Sequence, residues 1–162
     1  ALPGGQLFLT AGLYNRLQSE GQLAGILAHE IAHAVARHSA QQIARQQLTQ
    51  GLTGAGAIAS YDPQNPNSAA TSQMALLVGQ LLTMRYSREH ELESDRLGVR
   101  FLAEAGYDPR ALIEVMAILA EAGGPTPPEF FSTHPNPENR IERIEQAIQE
   151  QFPNGVPDGL IQ

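Results

Sequence analysis

The sequence contains no cysteine, which excludes disulfide bonds, thiolate ligands for a metal and cysteine nucleophiles. Positive charge is also scarce, because ten basic residues, all arginine, stand against 17 acidic residues and give a formal net charge of -7. Since no basic cluster is present, we expect no nucleic-acid partner. Long apolar runs are missing too: none reaches the roughly 18 to 20 residues that a membrane-spanning helix requires.

Apolar residues nevertheless make up 42% of the 162 residues, which is enough for one hydrophobic core. We therefore expect residues 1–162 to form a single domain. The chain opens on Ala1, Leu2 and Pro3, without the basic and apolar regions of a signal peptide. We expect it to be an excised or processed part of a longer protein.

Local patterns predict a mainly α (α+β) domain with one short edge strand. Alternating residues between glycines predict this strand over residues 6–10. Ser19 and Gln22 have the spacing of a capping box and predict a long buried helix over residues 19–48. A weak apolar segment and a loop are predicted next, over residues 51–73. The remaining helices are predicted over residues 71–105, with a break near 86–87, then over 108–123 and 136–151, and Gly106 is the stop signal after the first of them.

His29, Glu30 and His33 form the pattern HExxH, whose spacing allows one helix to present two imidazoles to a zinc ion. Residues four apart lie on the same helical face, so both histidines can point a ring nitrogen at one metal. Glu30 would lie beside the open coordination position, where a carboxylate can take a proton from water and pass it to a leaving amine. The surrounding helix is apolar on nearly every side and is therefore expected to be buried. The alternative to a metal site is a pair of core histidines that are satisfied by hydrogen bonds.

A third ligand is expected from a second helix, and the sequence SREHELESD offers four acidic side chains. Glu91 shares a helical face with Asp95 and Gly98, whereas Glu89 and Glu93 share theirs with arginines. We expect Glu91 on the packed face as the third ligand, and we expect Gly98 to let another helix approach closely. Spacing alone leaves open an ordinary acidic helix, because runs of charged residues are commonly solvated faces.

The motifs HEIAH and SREHELESD resemble those of the gluzincin metallopeptidases, specifically the family of the HtpX protease and the CAAX prenyl endopeptidases, whose signature is HExxH followed by ExxxD. Here ExxxD falls on Glu91 and Asp95. The resemblance extends to ALPGG, GLY and THP and covers most of the chain. It implies a zincin-like fold, with an active-site helix and a second ligand helix, and Zn²⁺ as the cofactor. It also implies Glu91 as the third ligand and Asp95 as the residue that orients a zinc-binding histidine.

Two further residues are candidates because the resemblance implies that the THP loop reaches the active site. His134 could donate a hydrogen bond to the oxyanion, or it could occupy the open zinc position and keep the enzyme latent. Arg140 could clamp a carboxylate or the loop itself. For both residues a solvent-exposed side chain is the alternative. His38 is expected to be structural and His90 to be an exposed neighbour of the ligand helix, and neither is expected to bind the metal.

The resemblance implies a zinc endopeptidase for peptide or unfolded protein substrates, located in the cell envelope or periplasm and close to a membrane, with further domains and regulators left open. An extended substrate would pair with the edge strand, since unpaired backbone groups bind main chain with little sequence preference. The candidate residues for this contact are Gly5, Gln6, Leu7, Phe8 and Leu9. The alternative function is a zinc-containing, chaperone-like binding module with little or no turnover.

Overall fold

The computed structural model describes residues 1–2, 4–60, 86–121, 130, 134–136 and 139–162. These parts contain six helices, as predicted for a mainly helical domain: α1 (Ala11–Tyr14), α2 (Glu20–Val35), α3 (His38–Ser60), α4 (Arg88–Ala105), α5 (Ala111–Glu121) and α6 (Arg140–Gln151). Among the described residues, none of the helices combines the length and the apolar character needed to cross a bilayer.

The hydrophobic core lies between four of these helices. Helix α2 packs against α4 and α5, and α4 packs in turn against α6. The buried apolar side chains of the core come from α2, α4, α5 and α6 in that order: Ile26, Ala28, Val99, Leu102, Leu112, Val115, Met116, Leu119, Ile144, Ala147 and Ile148. The HExxH helix is therefore held by neighbours on several sides, which agrees with its apolar sequence.

The two central helices have well-defined ends, with side chains that cap both N-termini and a glycine that ends α4. The hydroxyl of Ser19 accepts a hydrogen bond from the backbone N–H of Gln22 at 3.2 Å and caps α2, as predicted. The hydroxyl of Ser87 caps α4 in the same way, accepting from the N–H of His90 at 3.2 Å. Gly106 ends α4 with a φ of 83°, a left-handed conformation that glycine adopts without steric cost.

The prediction of one continuous helix over residues 19–48 is wrong. Helix α2 ends at Val35, and Arg37 adopts a left-handed conformation with a φ of 58° before α3 begins at His38. Helix α3 then continues to Ser60, so that the weak apolar segment predicted from residue 51 is helical as far as residue 60. The loop predicted after it and the helix predicted over residues 71–85 lie outside the described residues. No glycine or proline marks the break, which is why the apolar periodicity seemed continuous.

The last two helices begin later than predicted. Helix α5 begins at Ala111 instead of residue 108, and its predicted end at residue 123 lies outside the described part. Helix α6 begins at Arg140 instead of residue 136, because Asn139 turns the chain with a φ of 59°. Its end at Gln151 is as predicted.

The predicted strand over residues 6–10 is not formed. Leu7 and Leu9 are half-buried, and Leu9 packs against the core, whereas Phe8 is 74% exposed, so the predicted alternation in burial is present. However, the hydrogen bonds near this segment are those of a turn, from the N–H of Leu2 to the carbonyl of Gln6 at 2.9 Å, and none is a ladder bond. A β-strand requires backbone hydrogen bonds to a neighbouring strand, and no described residue forms such bonds with residues 6–10.

The C-terminal segment is tied to the turn between α4 and α5. Tyr107 and Ile161 form an isolated parallel bridge, and the N–H of Asp108 donates to the carbonyl of Ile161 at 2.9 Å. The buried carboxylate of Asp108 accepts hydrogen bonds from the guanidinium of Arg110 and, at 2.7 Å, from the side-chain amide of Gln162. Although irregular, this segment is thus fixed by specific bonds.

Candidate metal centre

The candidate metal centre lies where α2 and α4 come closest together. A Cβ atom added to Gly98 on α4 would lie 3.4 Å from the backbone nitrogen of His29 on α2. The two helices therefore lie close together at Gly98, as predicted from its position on the face of Glu91 and Asp95, and a side chain larger than a methyl group would not fit between them. This close approach places the acidic side chains of α4 next to the histidines of α2.

Three of the predicted ligands converge in the interior of the protein. The Nε2 atoms of His29 and His33 lie 3.1 Å apart, which shows that both rings point to one place. The two carboxylate oxygens of Glu91 lie 3.3 Å from Nε2 of His33 and 3.5 Å from Nε2 of His29. With His134 included, one donor atom from each of the four residues lies within 4.8 Å of the others, and all four residues are buried.

This group fits a divalent metal ion by its chemistry. Two imidazole nitrogens and one carboxylate oxygen are a ligand set typical of catalytic zinc. In addition, no hydrogen bond reaches the buried Oε2 atom of Glu91 from the described residues, although a guanidinium nitrogen of Arg140 lies 3.3 Å away. The facing Nε2 atoms of His29 and His33 likewise need a proton or a cation between them, since two lone pairs at this distance repel each other.

The charges of the group favour a cation at its centre. Burial alone would lower the pKa of His29, but hydrogen bonds with Asp95 and Glu91 raise it to about 9. Burial lowers the pKa of His33 to about 4. Burial would raise the pKa of Glu91, yet its contacts with the rings of His134, His29 and His33 hold it well below its usual range. A metal ion could supply the positive charge that these carboxylates attract while both imidazoles remain neutral.

Asp95 and Arg140 hold His29 from behind. The Nδ1–H of His29 donates to Oδ1 of Asp95 at 2.8 Å. The guanidinium of Arg140 donates to both carboxylate oxygens of Asp95, at 2.6 and 2.9 Å, and one of its nitrogens lies 3.3 Å from Glu91. Asp95 and Arg140 are 1% and 2% exposed, so the alternative of a solvent-exposed arginine is excluded. Because Nδ1 of His29 is engaged with Asp95, Nε2 of His29 is free to bind a metal.

Glu30 and His134 face each other across the group. Nε2 of His134 lies 3.3 Å from Oε1 of Glu30, and its Nδ1 lies 3.1 Å from Oε1 of Glu91. The ring of His134 stacks on Phe130 with the centroids 4.3 Å apart. His134 is buried, which excludes the alternative of a solvent-exposed loop residue. Burial would raise the pKa of Glu30, but the charges of His134 and of its other neighbours lower it, so the carboxylate is ionised.

The N-terminal segment lies beside this group. The backbone nitrogen of Ala1 contacts Oε2 of Glu30, and the carbonyl of Ala1 accepts hydrogen bonds from Ser39 at 3.0 Å and Tyr86 at 3.1 Å. A cavity of about 450 Å³ extends from His33 along this segment, and Gly5 is the only predicted substrate-contact residue in its lining. Gln6, Leu7, Phe8 and Leu9 do not line it.

Three residues that lie near the candidate metal centre could not be assigned to it from the sequence. His38 is fully buried against His33, because the break at Arg37 turns it back towards the centre. His90 is buried too, which makes the prediction of an exposed neighbour wrong. The ring centroid of Tyr86 lies 4.2 Å from that of His33. The only sequence signal for Tyr86 was the predicted helix break, which says nothing about its contacts.

Comparison with known proteins agrees with a peptidase. The chain is 33% identical over 145 residues to the "Beta-barrel assembly-enhancing protease" of Escherichia coli (strain K12), covering 85% of this chain and 29% of the relative. It is 36% identical over 146 residues to the "Putative beta-barrel assembly-enhancing protease" of Vibrio cholerae, covering 85% and 30%.

A second kind of relative is the "Mitochondrial metalloendopeptidase OMA1" of Arabidopsis thaliana, which is 39% identical over 66 residues, or 41% of this chain and 14% of the relative. The chain thus spans less than a third of the length of each of these three relatives. The family model described as "Peptidase family M48" matches residues 1–148. Since that match covers nearly the whole chain, the protein belongs to peptidase family M48, a family of metallopeptidases.

Proposed function

We propose that the protein is a zinc-dependent endopeptidase whose metal is held by His29, His33 and Glu91. The observation that carries this proposal is the convergence of their donor atoms, within 4.8 Å, in the interior of a family M48 chain. A zinc ion held there would polarise the carbonyl of the scissile peptide bond and make water easier to deprotonate. Residues 1–162 are proposed to act together as one catalytic domain.

Glu30 is the general base of this proposal. Its carboxylate is ionised and buried beside the proposed ligands, so it can accept a proton from the attacking water. The same carboxyl group then gives the proton to the leaving nitrogen as the peptide bond breaks. Asp95 and Arg140 are positioning residues, because they hold His29 in the tautomer that presents Nε2 to the metal.

His134 is proposed to keep the enzyme latent. Its two ring nitrogens contact the proposed base Glu30 and the proposed ligand Glu91, so it fills the space that water and substrate need. Displacement of His134 from this position would open the site, and His134 could then donate a hydrogen bond to the oxyanion. The same contact favours the second candidate function, a zinc-containing chaperone-like module that binds clients with little or no turnover.

The substrates are proposed to be extended or misfolded proteins that lie along the N-terminal segment. Gly5 lines the cavity next to His33, and the segment that continues from it contains Gln6, Leu7, Phe8 and Leu9, of which Gln6 and Phe8 are exposed. We propose a location in the cell envelope or periplasm, near a membrane, because two of the relatives are named for β-barrel assembly. The resemblance to HtpX and the CAAX prenyl endopeptidases is proposed to reflect kinship within the family.

The test is hydrolysis of a fluorescently labelled unfolded protein by the zinc-loaded wild type, Glu30→Gln and His134→Ala. Glu30→Gln should keep its zinc and lose roughly 100-fold to 10,000-fold of the rate, since amide oxygens do not accept the proton. His134→Ala should be faster than the wild type. Turnover that survives Glu30→Gln would refute the general base. If neither the wild type nor His134→Ala cleaves while both bind the substrate, the chaperone-like module is the better description.

A further inference from the structure

His38 lies directly behind His33, on the side opposite the proposed metal position. Its Nδ1 atom is 3.0 Å from Nδ1 of His33, and its Nε2 atom is 3.2 Å from Oε2 of Glu93. His90 stacks on the ring of His38 with the centroids 4.2 Å apart. The hydroxyl of Ser94 lies 3.2 Å from Nδ1 of His38. His38 is fully buried, so these contacts make up its polar surroundings among the described residues.

The positions of the hydrogens in this series of contacts can be assigned by starting from the carboxylate of Glu93. The carboxylate of Glu93 can only accept, so Nε2 of His38 carries a hydrogen and donates it. In the neutral ring, Nδ1 of His38 is then an acceptor. The Nδ1–H of His33 and the hydroxyl of Ser94 are the two donors that point at its lone pair. Consequently His33 carries its hydrogen on Nδ1 and keeps the lone pair of Nε2, the atom that faces His29.

We propose that His38, oriented by Glu93, is the positioning residue that fixes the metal-binding tautomer of His33. This inference rests on the proposed function, because it assumes that Nε2 of His33 binds the metal. If the direction of the bond were reversed, with His38 donating from Nδ1, the hydrogen of His33 would move to Nε2 and block the metal. The contacts of His38 therefore decide whether His33 can act as a ligand.

The two histidines of HExxH are thus oriented by different hydrogen-bond partners. His29 donates to a buried carboxylate, Asp95, which Arg140 neutralises. His33 donates instead to a ring nitrogen of His38, and the carboxylate lies one residue further away, on Glu93, whose side chain is 58% exposed. Both partners accept a hydrogen bond from Nδ1–H and leave Nε2 free, which is the role that partners of metal-binding histidines commonly play.

The test compares His38→Leu, which removes the acceptor, with His38→Asn, whose side-chain oxygen can replace Nδ1. His90→Leu is the matched control, since it removes a buried ring that stacks on His38 but has no hydrogen bond to His33 among the described contacts. Zn²⁺ affinity is measured by competition with a chromophoric chelator, and the absorption spectrum of the Co²⁺-loaded protein reports on the ligand geometry. Thermal unfolding of the metal-free proteins shows whether each variant folds.

We expect His38→Leu to bind Zn²⁺ roughly 10- to 100-fold more weakly and to change the Co²⁺ spectrum. His38→Asn should recover most of the affinity, and His90→Leu should bind as the wild type does. Equal affinities in His38→Leu and the wild type would overturn the inference, and so would equal losses in His38→Leu and His90→Leu or no recovery in His38→Asn. A wild type that binds no Zn²⁺ would overturn the proposed function as well, which separates the two failures.

Glu93 offers a second test that leaves the core intact, because its side chain is largely exposed. Glu93→Gln keeps an oxygen that accepts from Nε2–H of His38, whereas Glu93→Ala removes it. We expect Glu93→Ala to weaken Zn²⁺ binding several-fold and Glu93→Gln to stay close to the wild type. Equal affinities of Glu93→Ala and the wild type would show that the acceptor beyond His38 has no part in positioning His33. These variants keep the inference testable even if His38→Leu fails to fold.

Discussion

Replacing Asp95 by alanine should destabilise the metal-free protein by about 3 to 5 kcal/mol, because the buried charge of Arg140 loses the carboxylate that accepts two of its hydrogen bonds and keeps one carboxylate contact, with Glu91. Arg140 is 2% exposed and donates to both oxygens of Asp95, so water cannot replace the lost carboxylate. The free energy of unfolding is measured by urea denaturation at pH 7, in the presence of a chelator, and is followed by circular dichroism. The chelator separates the loss of the ion pair from any loss of bound metal.

The protein contains its own control for this experiment. Arg100 and Glu104 form an ion pair with side chains that are 58% and 54% exposed, and Glu104→Ala should cost less than about 0.5 kcal/mol. The double variant Asp95→Ala/Arg140→Met should lose less than Asp95→Ala alone, because it no longer buries a charge that has lost two of its hydrogen bonds. A loss in Asp95→Ala no larger than that in Glu104→Ala would refute the reasoning that the buried pair is essential to the fold.

Two further predictions concern packing and pH. Gly98→Leu should lower stability by about 1 to 3 kcal/mol in urea unfolding, since a Cβ atom at Gly98 already contacts the backbone of His29 at 3.4 Å and the rest of the side chain has no room, whereas Gly51→Leu, in open space on α3, should be neutral or stabilising. Equal stabilities of the two variants would contradict this. The hydrogen bonds from Arg110 hold the pKa of Asp108 below its usual value, so the stability that this carboxylate contributes is present above the pKa of the unfolded chain and is lost as the pH falls. The difference in unfolding free energy between the wild type and Asp108→Asn should therefore shrink from pH 5 towards pH 2, and a constant difference would show that the charge of Asp108 is not involved.

The residues of the candidate metal centre could be predicted because helical spacing decides which side chains share a face. HExxH placed His29 and His33 together, and the period of α4 separated Glu91 from the charged, solvated residues beside it. Both inferences depend only on local geometry within one helix. The convergence of the two helices could be anticipated from Gly98, whose missing side chain is visible in the sequence.

The position of His38 could not be predicted in this way. In a continuous helix it would face away from His33, and the sequence has no glycine or proline at the break. Arg37 adopts a left-handed conformation that is unusual for a residue with a side chain, and tertiary contacts of His38 must compensate its cost. A single left-handed residue thus changed the surroundings of a proposed ligand without any local signal.

The predicted strand failed for a different reason. The alternation of residues 6–10 correctly predicted which side chains are half-buried and which are exposed, but a strand also depends on a partner elsewhere in the chain. Pairing is a tertiary property that a five-residue pattern does not contain. The substrate contacts proposed for this segment therefore do not depend on a preformed sheet.

Metal content measured by mass spectrometry, on protein purified without added zinc, tests the central proposal most directly. We predict one zinc per chain in the wild type and in Glu89→Ala, and a loss of that zinc in Glu91→Ala, since Glu91 is buried among the histidines and Glu89 is exposed. Zinc retained in Glu91→Ala, or absent from the wild type, would contradict the proposed centre.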